Sequence, residues 1–186
     1  MTPLCRREDS LLLCIDIQER LANAMVEPAR SRMIDNTVRL LRTAAMLDIP
    51  VLYTEQYPAG LGPTVDKVRS ALPDGARYFD KTSFSCCGAD DFREAVRASH
   101  RRQVIVTGME THVCVLQTAL ELHDDGLEVY VADDAVCSQK MAHWKSALNR
   151  LRQVGVYHAP TESVLFEWLR DAQHEAFKKV SALLRD

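Results

Sequence analysis

A chain of 186 residues, of which 47% are hydrophobic and 26% charged, is long enough for one globular domain with a sizeable core. Its formal net charge of −3 argues against a surface that binds nucleic acid, and no apolar run approaches the roughly 20 residues that a membrane span requires. The N-terminus lacks the basic and apolar order of a signal peptide, so we expect a cytoplasmic protein without a membrane partner.

The first half of the chain alternates predicted strands and helices. The apolar run Leu11–Ile15 is typical of a buried strand, and apolar residues at helical spacing predict a helix over about Ala29–Leu47. A second strand is predicted over Pro50–Thr54. The stretch Glu55–Gly75 is rich in Pro and Gly and is expected to be mainly loop. A short strand is expected around Arg77–Phe79.

The alternation continues to the end of the chain. The predicted elements are the helix Gly88–Ser99, the strand Gln103–Thr107, the helix His112–Asp124, the strand Glu128–Ala132, the helix Lys140–Gln153, the strand Val156–His158, the helix Glu162–Arg170 with Thr161 as its N-cap, and the helix Gln173–Leu184. Strands that are apolar on both faces predict a parallel sheet covered by helices on both sides. We therefore expect an α/β protein: a three-layer α/β/α sandwich with a mainly parallel, doubly wound sheet of about six strands, formed by residues 1–186 as a single domain.

The six cysteines show neither C-x-x-C pairing nor the Cys/His spacing of a zinc site. A chain of this length builds a core without disulfides, so reduced thiols are expected. Cys14 lies in an apolar strand and is expected to be buried. The pattern assigns no role to Cys5 or to the neighbouring pair Cys86 and Cys87.

Cys114 has a distinctive position. The strand-like run Val104–Thr107 ends at Gly108, and six residues after that glycine Cys114 stands at the start of a helical pattern. Ligand sites gather at the carboxyl ends of strands in open α/β sheets, and the N–H groups and dipole of a helix N-terminus favour a thiolate over a thiol. We therefore expect Cys114 to be a nucleophile.

Two further polar residues follow predicted strands. Asp16 comes directly after Leu11–Ile15, and Lys81 follows the strand near Phe79. Because the carboxyl ends of parallel strands share one edge of a sheet, these side chains and Cys114 could converge there. A carboxylate can take the thiol proton, and a lysine can stabilise the thiolate. The thiolate can then attack a carbonyl carbon to form a thioester that water cleaves.

Each of these residues also has a simpler interpretation. An aspartate after a strand is often only a turn residue or a helix cap. A lysine in a loop is usually solvated, or paired with a neighbour such as Asp80, and a lone cysteine often only fills space in the core. Spacing alone leaves both interpretations open.

Several segments, taken in chain order, are similar to those of one superfamily. They are Leu12–Gln18, Thr54–Pro58, Lys81–Phe84, Gly108–Val115, Leu116–Leu120, Val131–Val136 and Val164–Asp171. Together they resemble the isochorismatase-like cysteine hydrolases, above all the isochorismatase domain-containing branch, and they span nearly the whole chain. The resemblance implies a three-layer α/β sandwich and an Asp–Lys–Cys catalytic triad, which here would be Asp16, Lys81 and Cys114.

The resemblance also implies a cis peptide bond between Met109 and Glu110. In that geometry the N–H groups of Glu110 and Cys114 would face the oxyanion of a tetrahedral intermediate, where one donor is worth about 3–4 kcal/mol of barrier. Members of the family form dimers and larger rings, so a homo-oligomer is expected. The segment Val164–Leu169 could cross a subunit boundary or pack on its own sheet.

The chain departs from its relatives in ways that bear on chemistry. Nicotinamidases of the superfamily carry a histidine-containing metal-binding segment after the second strand, where this chain reads Thr54–Gly60 without histidine. We therefore expect no metal site, and no cofactor is implied. The vinyl-ether-cleaving isochorismatases lack the cysteine, so Cys114 favours attack on a C–N or acyl carbon. Glu110 stands where many relatives have alanine, and it either packs or shapes the pocket.

Five side chains are candidates for contact with a small-molecule substrate. Gln18 and Glu55 are polar groups at strand ends, and they suit substrate binding and loop hydrogen bonding equally well. Tyr57 and Phe84 could line an aromatic pocket, although core packing explains them nearly as well. His112 is expected to face the pocket rim or a neighbouring element rather than to act as the base.

Three hypotheses of function follow. The leading one is a metal-independent cysteine hydrolase of a small amide, or of a related C–N or acyl substrate. The second is a catalytically lapsed binding or interaction protein on the same fold, which predicts an unreactive Cys114. The third is a redox-sensing thiol, which needs a resolving cysteine near Cys114, with Cys86, Cys87 and Cys137 as candidates. The sequence does not identify the substrate.

Overall fold

Six apolar runs form the strands of one sheet in the computed structural model, which describes residues 4–185. In chain order the strands are β1 Ser10–Ile15, β2 Val51–Gln56, β3 Arg77–Lys81, β4 Gln103–Met109, β5 Glu128–Cys137 and β6 Tyr157–Ala159. Their order in the sheet is β3-β2-β1-β4-β5-β6, and each neighbouring pair is parallel. Every residue of the central strands β1 and β4 is buried, as expected for strands covered on both faces. The predicted α/β fold is therefore confirmed.

Helices connect the strands and cover the sheet. They are α1 Glu19–Ala24, α2 Ala29–Met46, α3 Pro58–Leu61, α4 Asp66–Arg69, α5 Phe92–Ala98, α6 Leu116–Asp124, α7 Met141–Gln153, α8 Thr161–Leu169 and α9 Phe177–Leu183. A 3₁₀ turn over Cys86–Gly88 precedes α5, and a π-helical turn over Thr111–Val115 leads directly into α6. Among the described residues, no helix has both the length and the apolar character needed to cross a membrane.

The sheet separates two hydrophobic clusters. Residues of α2, α8 and α9 pack on one face, and residues of α5, α6 and α7 pack on the other. Strand β1 contributes to both by simple alternation, with Leu12 and Cys14 in the first cluster and Leu11, Leu13 and Ile15 in the second. The three layers follow from this alternation, because each buried strand must be covered on both sides.

Some element boundaries differ from the prediction. The stretch predicted as loop after Thr54 contains the end of β2 and the short helices α3 and α4, and helix α1 was not predicted. Strand β5 continues to Cys137 because its later residues pair with Gly108 and Met109 of β4. Thr161 does not cap α8 but is its first residue, and its hydroxyl donates to Asp134.

Candidate active site

The direction of the connections reverses between β1 and β4, the neighbouring strands at the centre of the sheet. Their pairing runs from Ser10 with Gln103 to Ile15 with Gly108, so their carboxyl ends are level. Asp16 follows β1 directly, and the turn that carries Cys114 follows β4. A crevice at such a reversal is the usual ligand site of an open α/β sheet.

Asp16 and Lys81 form a buried ion pair at this edge. Lys81 Nζ lies 2.7 Å from Oδ2 of Asp16, and neither side chain has exposed surface. Lys81 is the last residue of β3 rather than a loop residue. Its ammonium also donates to Oε1 of Gln56 and to the carbonyl oxygens of Ser83 and Phe84. These bonds compensate the cost of removing the lysine charge from water.

The Asp16 carboxylate is fixed by a second neighbour. The hydroxyl of Thr54 donates to Oδ1 at 2.7 Å, so both carboxylate oxygens are engaged. The Asp16 backbone has a φ of 52°, in the left-handed region that aspartate and asparagine tolerate better than most residues. The chain therefore turns sharply after β1. Thr54 was not predicted, although its register opposite Ile15 places it beside the site.

Cys114 lies in the π-helical turn with 6% of its surface exposed. The charges of Asp16 and Lys81 both act on its thiol. Burial raises the pKa of this thiol most strongly, and the Asp16 charge raises it further, while Lys81 lowers it. The direction of this shift disfavours the predicted thiolate, because loss of hydration outweighs the helix dipole.

Gly108 brings β4 into close contact with the end of β1. Its φ is +139°, and a Cβ at this position would collide with the carbonyl oxygen of Ile15. One residue further on, the peptide bond between Met109 and Glu110 is cis, as the sequence resemblance implied. The segment that leads to Cys114 therefore begins at a backbone contact that leaves no room for a side chain.

Gln18 and Glu55 hold loops together. The Gln18 amide donates to the carbonyl oxygens of Gln56 and Gly62, and its oxygen accepts from the Gln56 N–H. The Glu55 carboxylate accepts from the N–H and hydroxyl of Thr64 and from the hydroxyl of Tyr78. These contacts use the polar atoms that a substrate would need. They favour the loop-bonding alternative over substrate contact for both residues.

Tyr57 and Phe84 are exposed rather than packed in the core. Tyr57 is 57% exposed and Phe84 56% exposed. The Tyr57 N–H donates to the carbonyl oxygen of Lys81, and the Phe84 carbonyl oxygen accepts from the Lys81 ammonium. Both aromatic residues therefore flank Lys81 through their backbones, which leaves their rings at the surface near the site.

His112 has polar neighbours on the β5 side. Its Nδ1 lies 3.0 Å from Oγ of Ser138, and its Nε2 lies 3.6 Å from Oε2 of Glu110. Its ring is 4.5 Å from the His143 ring. Burial and His143 lower the pKa of His112, and Glu110 opposes that shift. Sequence reasoning missed Ser138, because the predicted strand ended at Ala132 instead of at the residue before the serine.

The three candidate resolving cysteines differ in their surroundings. Cys86 Sγ lies 3.7 Å from Oγ1 of Thr54, the residue whose hydroxyl donates to Asp16. Burial raises the pKa of Cys86 to about 12. Cys87 is only half-buried, and Cys137 lies in the hydrophobic cluster on the other face of the sheet. None of the six cysteines forms a disulfide.

Within residues 4–185, no cluster of three or more His, Cys, Asp or Glu side chains is arranged to hold a metal ion. The groups that meet at the carboxyl edge are therefore the ion pair, the thiol and the hydrogen-bond partners described above.

Sequence comparison identifies relatives over most of the chain. The family model of the isochorismatase domain matches residues 10–163. The chain is 37% identical over 179 residues to isochorismatase domain-containing protein 2 of Rattus norvegicus, which covers 96% of this chain and 82% of the relative. It is 38% identical over 180 residues to the protein of the same name from Danio rerio, with coverage of 94% and 86%.

Solved structures share the fold. The structure of MAR1 ribonuclease from Caenorhabditis elegans superposes with a TM-score of 0.91 at 33% identity, and the match covers 97% of this chain and 92% of that one. The YcaC gene product of Escherichia coli, described as an octameric hydrolase of unknown specificity, gives 0.90 at 26% identity, with coverage of 97% and 89%. The protein thus has the fold of the isochorismatase-like hydrolases, and its chain belongs to the isochorismatase family.

Proposed function

We propose that this protein is a metal-independent cysteine hydrolase that cleaves a small amide, or a related C–N or acyl substrate, through a thioester on Cys114. The observation that carries the proposal is the fully buried Asp16–Lys81 ion pair at the sheet edge where the turn that carries Cys114 follows β4, with both charges acting on the Cys114 thiol. The arrangement supplies a nucleophile, a proton acceptor and a fixed positive charge. The functional unit is a single domain over residues 1–186.

In the first step, Sγ of Cys114 attacks the carbonyl carbon while the thiol proton passes to Asp16. The raised pKa of the thiol means that deprotonation accompanies attack rather than preceding it. Lys81 stays protonated and balances the developing negative charge. The carbonyl π electrons move to the oxygen, and the N–H groups of Glu110 and Cys114 are the proposed donors to that oxyanion.

In the second step, the tetrahedral intermediate collapses and the C–N bond breaks. Asp16 returns its proton to the leaving nitrogen, which departs as an amine or ammonia and leaves the thioester. Water then attacks the thioester carbonyl as Asp16 accepts one of its protons. Collapse of this second intermediate releases the carboxylic acid, and the proton returns to Cys114.

Burial of the triad supports a small substrate rather than a polymer. The side chains of Asp16 and Lys81 are fully covered, and Cys114 is nearly so. The C. elegans relative is described as a ribonuclease. For this acidic chain, with its net charge of −3, we propose no nucleic-acid partner, and RNA degradation serves as a counter-assay.

We also propose that the protein is a homo-oligomer, since the structurally similar E. coli protein is described as octameric. Sedimentation velocity at micromolar concentration tests this statement, and a monomer under those conditions would contradict it.

The decisive experiment follows the acyl group. A panel of short aliphatic and aromatic amides is incubated with the protein, and ammonia release and intact mass are measured after rapid quenching. We expect ammonia release and an acyl adduct that maps to Cys114. Cys114→Ala should lose both by about 10³-fold or more, because the nucleophile is gone, with an unchanged urea midpoint.

Cys87→Ala is the matched control, because it removes a half-buried thiol that is not part of the triad. It should retain both the adduct and the turnover. Substantial turnover by Cys114→Ala would refute covalent catalysis. No turnover over the whole panel, together with the absence of any acyl adduct on Cys114, would favour the binding-protein hypothesis instead.

A further inference from the structure

A small cavity of about 200 Å³ lies at the carboxyl end of β5. It is enclosed by the loop before α2, the start of α2, the end of β5 and the start of α7. Its walls are largely apolar and include Val26, Val136, Met141 and Trp144. Ser138, the first residue after β5, contributes the hydroxyl of the lining. None of the triad residues lines this cavity, so it is a separate feature of the same edge.

The cavity and the triad lie at the same carboxyl edge of the sheet, two strands apart. Ile15, Gly108 and Val136 are in register across β1, β4 and β5. Neighbouring strands lie about 4.8 Å apart, so Asp16 and Ser138, which follow β1 and β5, are separated laterally by roughly 10 Å. This separation is comparable to the length of a short linear molecule that has its carbonyl at Cys114 and its far end at the cavity.

The hydroxyl of Ser138 is oriented by two further side chains. Ser138 is only 5% exposed, and its Oγ lies 3.0 Å from Nδ1 of His112. The carboxylate of Glu110 lies 3.6 Å from Nε2 of the same ring. A carboxylate beside Nε2 favours the tautomer that carries the proton there, so Nδ1 accepts the hydroxyl proton of Ser138. The lone pairs of Oγ then remain to accept a hydrogen bond from a ligand.

The charges around the cavity argue for an uncharged partner group. Arg32 lines the cavity and disfavours a cation. Glu110 lies behind His112 and disfavours an anion at Ser138. Glu27 also lines the cavity, but its carboxylate is occupied by Arg30 and Ser31. The group that best fits Ser138 is therefore a neutral hydrogen-bond donor.

We propose that this cavity is a specificity subsite in which Ser138, held by His112 and Glu110, accepts a hydrogen bond from a neutral hydroxyl or amide N–H at the far end of the substrate. This inference rests on the proposed function for the reacting end of the molecule. The apolar walls contact the carbon chain between the two ends. The preferred substrate class is a short amide with a neutral donor at its opposite end.

The test compares four linear amides that differ only at the far end: 5-hydroxypentanamide, hexanamide, 5-aminopentanamide and glutaric acid monoamide. We expect the hydroxyl compound to be favoured over hexanamide by about tenfold or more in kcat/KM, because a buried acceptor is left unpaired by the methyl group. The amino and carboxylate compounds should be disfavoured. In Ser138→Ala the ratio of hydroxyl compound to hexanamide should fall to about 1.

Two further variants sharpen the result. Ser138→Thr should keep the preference for the hydroxyl compound that Ser138→Ala loses, because threonine retains a hydroxyl. His112→Phe should reduce the ratio, because Ser138 is no longer oriented. Ser163→Ala, on α8 and outside this cavity, is the control and should keep the wild-type ratio.

Binding to Cys114→Ala, measured by calorimetry with the same amides, separates this inference from the proposed function. If no amide is hydrolysed but the hydroxyl compound binds more tightly in a manner that Ser138→Ala abolishes, the subsite stands and the hydrolase proposal fails. If amides are hydrolysed without a hydroxyl preference, or with one that Ser138→Ala leaves unchanged, the subsite is refuted. Preference for the charged amides would refute it as well.

Discussion

The two sides of the carboxyl edge use polar groups in opposite ways. On the β1–β3 side, the buried Asp16 carboxylate has both oxygens bonded, one to Lys81 and one to Thr54. On the β5–β6 side, Ser138 lines a small cavity, and Nε2 of His158 has no hydrogen-bond partner among the described residues. The charged groups of the first side are held by hydrogen bonds, so their positions are fixed, which suits the making of a bond. On the second side Ser138 and His158 can still form hydrogen bonds, so a ligand or a change of pH should act there.

The largest expected effect on stability comes from breaking the buried ion pair between Asp16 and Lys81. Lys81→Met leaves Asp16 buried without its counter-ion and should lower the free energy of unfolding by about 3–5 kcal/mol. The double variant Lys81→Met with Asp16→Asn should recover part of that loss, because it removes the buried carboxylate charge that has no counter-ion. Lys67→Met is the matched control, because Lys67 pairs with Asp35 at the surface, and should cost at most about 1 kcal/mol.

Urea denaturation of all four proteins measures these differences. Equal losses for Lys81→Met and Lys67→Met would mean that the buried pair is no more important for stability than a surface pair, which contradicts the comparison.

A second change separates the thiol from its base. Asp16→Asn removes the negative charge that raises the pKa of Cys114, while Lys81 still lowers it. The pKa of the thiol should therefore fall, and alkylation by iodoacetamide should begin at lower pH even though hydrolysis is lost. Peptide mapping of the alkylated protein across a pH series measures this.

Asp35→Asn, on the surface, is the control for that experiment and should leave the alkylation profile unchanged. An Asp16→Asn profile that stays in place or moves to higher pH would show that Asp16 does not govern the Cys114 proton.

The smallest expected effect concerns His158 on the other side. Burial, and then Arg152, lower the pKa of His158 to about 4, below the unfolded value of about 6.5. The folded state therefore favours the neutral ring, and the stability that this contributes is present above pH 6.5 and is lost as the pH falls towards 4. His158→Gln should flatten this part of the profile by on the order of 1 kcal/mol, after allowance for partial exposure.

Urea unfolding between pH 4 and 7 measures this difference. His100→Asn is the control, because His100 is exposed in a left-handed turn that asparagine tolerates, and it should leave the slope unchanged. A wild-type slope in His158→Gln would assign the pH dependence to other groups.

The sequence was sufficient for the fold because buried parallel strands are continuous apolar runs. Strand β1 could be read directly from Leu11–Ile15. The later part of β5 could not, because Asp133 and Asp134 interrupt the apolar pattern while the backbone continues to pair with β4. Helix α1 was missed because only one of its residues is buried, which leaves little periodicity to detect.

Residue positions at strand ends, together with the family resemblance, identified Asp16, Lys81 and Cys114. The protonation state of Cys114 could not be predicted, since it depends on burial and on Asp16, which local sequence does not encode. The Thr54 hydroxyl and the contact of Ser138 with His112 depend on register between distant segments. These contacts required three-dimensional structure.

The contact between Gly108 and Ile15 limits which substitutions this site can tolerate. The carbonyl oxygen of Ile15 fills the space that a side chain at position 108 would need. Ile15 and Gly108, the residues just before Asp16 and Met109, are therefore in direct backbone contact. A larger residue there would displace the proton acceptor and the turn that carries the nucleophile at the same time. The spacing between Asp16 and the turn that carries Cys114 therefore depends on a backbone carbonyl oxygen that takes no part in the proposed reaction.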